Sequence, residues 1–178
     1  MKKLSHHDIS LKRATLDTLP HIQRIPLCAL VDNVRSLYNV GSIFRTSDGA
    51  LIEKLILTGF TPHPPRKEIE KTALGSTKSV PWEYVKHPTE AIQLLKNKGY
   101  KICCLELTDA SIPFTEIQPG HFPMCLIIGN EITGVSKEVI ELCDLAIEIP
   151  MYGTKQSLNV AVAYGIAVFE LAKVWRTK

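Results

Sequence analysis

The 178-residue chain carries little that would staple, anchor or export it. Its five cysteines (Cys28, Cys103, Cys104, Cys125, Cys143) are odd in number and form no CxxC pair, so neither zinc-ligand spacing nor a disulfide framework is visible. Each sits in an apolar run and reads as a small buried hydrophobe of a reducing compartment. The opening MKKLSHHDISLKR lacks the apolar core of a secretory signal. The longest apolar stretch, residues 160–169, is broken by Gly165 and reaches about half of a membrane span. The expectation is a soluble cytoplasmic protein with no membrane contact.

Other absences concern chemistry. The six histidines show no HxxxH or HExxH spacing, so no metal site is expected. No GxSxG elbow supports a serine hydrolase. Neither GxGxxG nor GxxxxGK[ST] occurs, which removes the dinucleotide fingerprint and the P-loop. What remains is ordinary globular composition, 45% apolar and 22% charged, with a formal charge of +3. Disorder is excluded, and binding to a polyanion is permitted but not demanded.

Along the chain, short β-rich runs alternate with helical patterns. Residues 1–24 are polar and read as an arm or short helix, ahead of one domain over residues 25–178. Strands are expected at 27–31, 54–58, 80–85, 101–107, 124–128 and 145–149, and helices at 42–50, 89–97, 136–142 and 158–174. Alternation of this kind predicts an α/β fold with a mostly parallel sheet. Residues 59–79, with three prolines and four Lys/Arg, read as one long loop. Ligands of such sheets lie beyond the carboxyl ends of the strands, which directs attention to the segments that follow them.

Three of those segments are unusually polar. In the first, Asn39 either caps a helix or belongs to a site, and Arg45 lies one turn beyond Gly41. A cation near a helix N-terminus opposes the dipole, a local conflict of the kind found at functional sites. In the second, Gly129-Asn130-Glu131-Ile132-Thr133-Gly134 follows an apolar strand, and its glycines serve either a plain turn or close backbone approach to a ligand. In the third, Ser157 and Asn159 open an apolar helix whose small residues Ala161, Ala163, Gly165 and Ala167 let another backbone come close. Arg66, Lys67, Lys71 and Lys78, interleaved with His63 and Trp82, form either a solvated face or a phosphate-holding surface.

Taken in order, LVDNVRSLYNVGSIFRTSDGALIEKLILTG, LIIGNEITGVS and IEIPMYGTKQSLNVAVAYGIAVFEL resemble the three motifs of the SpoU (TrmH-like) branch of the SPOUT RNA ribose methyltransferases. The resemblance spans residues 25–171. It implies a five- or six-stranded parallel α/β-knot fold with a C-terminal deep trefoil knot, S-adenosyl-L-methionine bound at that knot, and a homodimer. It further implies an RNA substrate, tRNA or rRNA, methylated on a ribose 2′-hydroxyl. Transferred position by position, Gly129, Ile149 and Leu158, with Leu107 less directly, correspond to the cofactor contacts. Arg45 corresponds to the catalytic arginine, Asn39 to a group placing the substrate phosphate or ribose, and Glu131, Ser157 and Asn159 to the remaining polar residues of the site. A guanidinium holds its proton too tightly to be a good base, so a cation gripping phosphate or stabilising an alkoxide is the preferred role. Alternatives are a base methyltransferase of a neighbouring branch, a catalytically silent RNA-binding paralogue, and a small-molecule enzyme on a nucleotide-binding fold.

Overall fold

A computed structural model describes residues 1–11 and 13–177. Among these, seven strands form one sheet: β1 (Ile25–Asp32), β2 (Ile52–Thr58), β3 (Trp82–Val85), β4 (Lys101–Leu105), β5 (Ile112–Pro113), β6 (Met124–Ile128) and β7 (Leu145–Glu148). Their spatial order is β3-β2-β1-β6-β4-β7-β5 and every pairing is parallel. Strand β5, only two residues long, takes the sheet past the expected five or six; nothing so short has a readable period.

Period-2 alternation sorts the central strands onto two cores. Ile25, Leu27, Ala29 and Val31 of β1, with Met124, Leu126 and Ile128 of β6, face α2 (Leu37–Ala50), α3 (Lys67–Ala73) and α6 (Val160–Arg176). Cys28, Leu30, Cys125 and Ile127 point the other way, toward α4 (Pro88–Asn97) and α5 (Lys137–Ile140). Cys28, Cys103, Cys104 and Cys125 are buried and Cys143 half-buried. Burial pushes the Cys28 thiol up to about 12, so it packs as a neutral hydrophobe. Both faces of the sheet being covered, its strands read as near-continuous apolar runs.

Several boundaries differ from the sequence expectation, each for a local reason. Helix α2 starts at Leu37, not 42, because Ser36 is its N-cap and accepts the Asn39 amide. Asn39 therefore lies inside the first turn, and Arg45 lies two turns in, beyond the reach of the helix dipole. The presumed loop 59–79 contains α3, whose Ile69 and Ala73, one turn apart, are buried against α2. Strand β4 ends at Leu105 rather than 107, and α5 is a single turn that stops at Ile140. The last helix starts at Val160, capped by Asn159 and not by Ser157. In the arm, α1 (His6–Ser10) is closed by a capping box between Ser5 and Asp8 and buries none of its side chains. No described helix is long and apolar enough to cross a membrane.

Gly41 shows why these helices can sit where they do. A Cβ there would run into the Thr72 hydroxyl and the Ile69 carbonyl of α3. The same Thr72 hydroxyl donates to the Tyr38 carbonyl at 3.0 Å, locking the two helices at the residue before Asn39. Gly41→Ala should therefore destabilise the protein by about 1–3 kcal/mol through overpacking, despite the gain in helix propensity. Urea unfolding of the two proteins measures this; equal midpoints would show that α3 yields freely.

Candidate functional site

The carboxyl ends of β4, β6 and β7 open into one cavity of about 530 Å³. Its walls are three chain segments: Leu105, Glu106 and Leu107 after β4; residues 128–135 after β6; and Glu148 to Ala163 around the end of β7 and the start of α6, through Ile149, Met151 and residues 156–160. Parallel strands whose ends converge in this way place backbone groups and loops, not a packed core, around a ligand.

The loop 129–134 owes its shape to two glycines. A Cβ on Gly129 would collide with the Gly134 carbonyl, so the two arms of the loop touch backbone to backbone. Asn130 and Gly134 exchange both amide hydrogen bonds, at 3.0 and 2.9 Å. Gly134 itself has φ +66°, and a side chain there would also meet the Glu106 carboxylate. That part of the cavity wall is consequently backbone.

Glu131 ties the loop to α2 across more than ninety residues of sequence. One carboxylate oxygen accepts the Arg35 amide at 3.0 Å; the other accepts the Ser36 amide at 3.1 Å and the Asn39 carboxamide N–H at 3.0 Å. Asn39 Oδ1 in turn accepts from Asn159 Nδ2 at 3.1 Å, and Asn159 Oδ1 accepts the Ala161 amide at 2.9 Å, capping α6. One polar chain, Glu131–Asn39–Asn159, thus joins all three segments singled out in the sequence. Partial burial raises the Glu131 pKa, but the Arg35, Asn39 and Ser36 donors outweigh that and hold it below the usual carboxylate value. Asp32, buried at the end of β1, shows the reverse balance. Burial raises its pKa against the lowering by the Thr58 hydroxyl, which donates at 2.8 Å.

Of the nine residues taken from the sequence, seven line the cavity: Leu107, Gly129, Glu131, Ile149, Ser157, Leu158 and Asn159. Ser157 is exposed in the wall and makes no hydrogen bond with a described residue. Asn39 stands behind the wall, its carboxamide oxygen and nitrogen both engaged within the protein. Arg45 neither lines the cavity nor pairs with any described residue; it is exposed on α2, one turn from Gly49, whose Cα faces Phe169 of α6.

Sequence reasoning passed over Glu106, and gave Asn33, at the start of the first polar segment, no role of its own. Glu106 accepts the Leu107 and Val135 amides, both at 2.9 Å, and so latches the loop to β4. Its signal was a lone carboxylate at the end of the apolar run KICCLEL. Asn33, at φ +55°, gives its carbonyl to Asn130 Nδ2 at 2.8 Å and its side-chain oxygen to the Phe60 amide at 3.1 Å. Its signal was a polar residue directly after the apolar run of β1, which does not say that the residue bridges two loops.

Because the Glu131 pKa is depressed, its contribution to stability is full above the unfolded value near pH 4.3 and disappears as pH falls through the lower folded value. Glu131→Gln should lower Tm at pH 7, with the deficit narrowing on acidification below about pH 4. A deficit that stays constant from pH 7 to strongly acidic conditions would mean that the carboxylate charge is not what holds the junction.

The model of the SpoU rRNA Methylase family matches residues 26–169. A tRNA (guanosine(18)-2′-O)-methyltransferase of Aquifex aeolicus is 38% identical over 145 residues, covering 81% of this chain and 67% of the relative. Among solved structures, the A. aeolicus TrmH/SpoU tRNA modifying enzyme superposes with a TM-score of 0.81 at 34% identity, over 91% of this chain and 83% of that one. An AdoMet-bound rRNA methyltransferase from Sinorhizobium meliloti gives 0.79 at 29% identity, over 87% of this chain and 59% of that one. The chain thus spans about two thirds of the Aquifex relative and less of the Sinorhizobium protein. With a family model matching most of its length and the parallel sheet shared with solved relatives, this chain belongs to the SpoU methylase family of the SPOUT superfamily.

Proposed function

We propose that the protein is an S-adenosylmethionine-dependent methyltransferase acting on the ribose 2′-hydroxyl of a nucleotide in tRNA or rRNA. The observation that carries this reading is the polar chain Glu131–Asn39–Asn159 along the rim of a glycine-built cavity at the ends of parallel strands. The cavity suits the cofactor. Its 530 Å³ falls within the roughly 300–1,000 Å³ of small-molecule sites, and Leu105, Ile128, Ile149 and Leu158 offer apolar walls. Backbone groups of Gly129, Ile149 and Leu158, with Leu107 at the mouth, would hold it.

The bound cofactor supplies a methyl group already activated on a sulfonium, so the protein's task is alignment and charge management. Asn39, with both ends of its carboxamide occupied, acts as a positioning residue that sets Glu131 and Asn159 relative to the cavity. Ser157 presents a hydroxyl in the wall, where it would meet the acceptor ribose. Arg45 is the cation that grips a phosphate or stabilises the developing alkoxide. The family's deep trefoil knot is inferred for the C-terminal segment. Supporting it, β6 lies inside β4 in the sheet and β7 outside it, with α6 returning to pack on α2.

A homodimer formed through α6 accounts for the position of Arg45. Val162, Ile166 and Phe169 recur at helical spacing on α6, all exposed, and Phe169 is 53% exposed. The Gly49 turn of α2, next to Arg45, lies against Phe169. A second copy covering that stripe would bury Arg45 at the junction of two subunits.

Incubation with methyl-labelled S-adenosylmethionine and unmodified tRNA and rRNA transcripts should yield a labelled 2′-O-methylnucleoside. Cofactor and RNA binding with no transfer would mark a silent paralogue. Arg45→Lys should lose more than tenfold in kcat while keeping cofactor affinity; near-full activity would remove any role for the guanidinium fork. Phe169→Glu should shift the protein from dimer to monomer by light scattering and cut transfer at least tenfold. A dimer that persists with Phe169→Glu would place the interface elsewhere.

A further inference from the structure

Beside the cofactor cavity lies a second cleft of about 620 Å³, lined by Arg35, Phe60, Asn130, Ile132 and Thr133. The two cavities share Asn130, Ile132 and Thr133, so one loop forms the partition between them. Phe60 is 73% and Ile132 80% exposed, and they flank a guanidinium that makes no hydrogen bond or ion pair with a described residue. Large apolar side chains in this number around an open cleft are what a ligand covers.

Both side chains are held out by rigid backbone. The Phe60 amide donates to Asn33 Oδ1 at 3.1 Å, the Gly59 amide to the Lys86 carbonyl at 3.2 Å, and the Tyr84 hydroxyl to the Gly59 carbonyl at 2.7 Å. Tyr84 is itself packed on His63 with ring centroids 5.1 Å apart, and His63 stacks on Trp82 at 6.1 Å. On the opposite wall, Asn130 Oδ1 accepts the Ile132 and Thr133 amides at 2.9 and 3.1 Å. Asn33 serves both walls, since its carbonyl receives Asn130 Nδ2. The turn carrying Phe60 thus has its conformational entropy already lost, while its ring touches mostly water. Such preorganisation raises affinity for whatever fills the cleft.

We propose that this cleft seats the nucleobase of the nucleotide being methylated, with the Phe60 ring stacked on the base, Ile132 closing the other side and Arg35 on an adjoining phosphate. The inference rests on the RNA-methyltransferase reading and adds to it the place where the base lies. A flat aromatic face takes any base, a guanidinium suits phosphate geometry, and the shared partition sets base and methyl donor on either side of one loop. Apolar metabolites would not use the cation, and a free phosphate would not use the two apolar walls.

The test uses the transcript that the full-length protein labels and the nucleotide at which the label appears. Phe60→Ala should weaken RNA binding and lower kcat/KM roughly 5- to 150-fold, the range for one lost base stack, with cofactor affinity unchanged because Phe60 is outside the cofactor cavity. Phe60→Trp should restore activity, and its added fluorescence should be quenched by the transcript. On a transcript abasic at the labelled nucleotide, wild type and Phe60→Ala should bind alike. Wild-type affinity and rate in Phe60→Ala, or an undiminished penalty on the abasic transcript, overturns the cleft assignment while leaving the methyltransferase reading intact. A wild-type protein that labels no transcript brings down both.

Discussion

One carboxylate fixes the relation of the site to the fold. Glu131 receives two backbone amides and one carboxamide from the segment 35–39, which precedes it by more than ninety residues. Without it, the start of α2 would carry unpaired amides and the loop after β6 would lose its anchor at the far end from Glu106. Charge-assisted bonds of this type are the stronger class of hydrogen bond. Their number at Glu131 explains why the carboxyl stays ionised although it is partly withdrawn from water. Everything described in the two cavities is arranged around that junction: Asn39 and Asn159 on one side, Asn33 and Asn130 on the other.

The parallel sheet was legible because its strands are apolar on both faces and separated by helices, a pattern only a doubly covered sheet requires. Residues 27–31, 54–58 and 124–128 lie wholly within β1, β2 and β6. Helix α3 was obscured by the prolines on its N-terminal side and by its length of seven residues, too short for a 3.6-residue period to show above noise. The early start of α2 was hidden because Asn39 was the cap considered, whereas Ser36, three positions earlier, closes the helix. Sequence pattern cannot separate them, since both types cap well. Tertiary demand decides it: Asn39 is needed by Glu131 and Asn159, which leaves Ser36 to close the helix.

The cavity residues were accessible through motif resemblance, and their division of labour was not. A motif names Asn39, Glu131 and Asn159 alike, whereas the hydrogen bonds make Asn39 a link inside the protein and leave Ser157 as the side chain with a hydroxyl to offer. Phe60 had no signal of its own within a proline-rich stretch. Its significance comes from exposure combined with an immobilised backbone, a property of three-dimensional structure alone.

The position of Arg45 then becomes intelligible as a consequence of how small residues are distributed. Gly41 brings α3 against α2 on one face, and Gly49 and Gly165 keep α2 and α6 close on another. Those contacts consume the faces of α2 that carry Val40, Ile43, Phe44 and Ser47, where the Tyr164 hydroxyl meets Ser47 at 2.7 Å in the core. What is left outward is the face of Tyr38 and Arg45, beside the uncovered stripe of α6. Arg45, on that face, is no part of the cavity built on the strand ends of its own chain. In the proposed dimer, a second copy laid over that face would bring it to a site. On the dimer proposal, the same packing that buries the other faces of α2 would make any role of Arg45 dependent on association. The exposed apolar stripe of α6 would then serve the proposed site as much as the polar rim does.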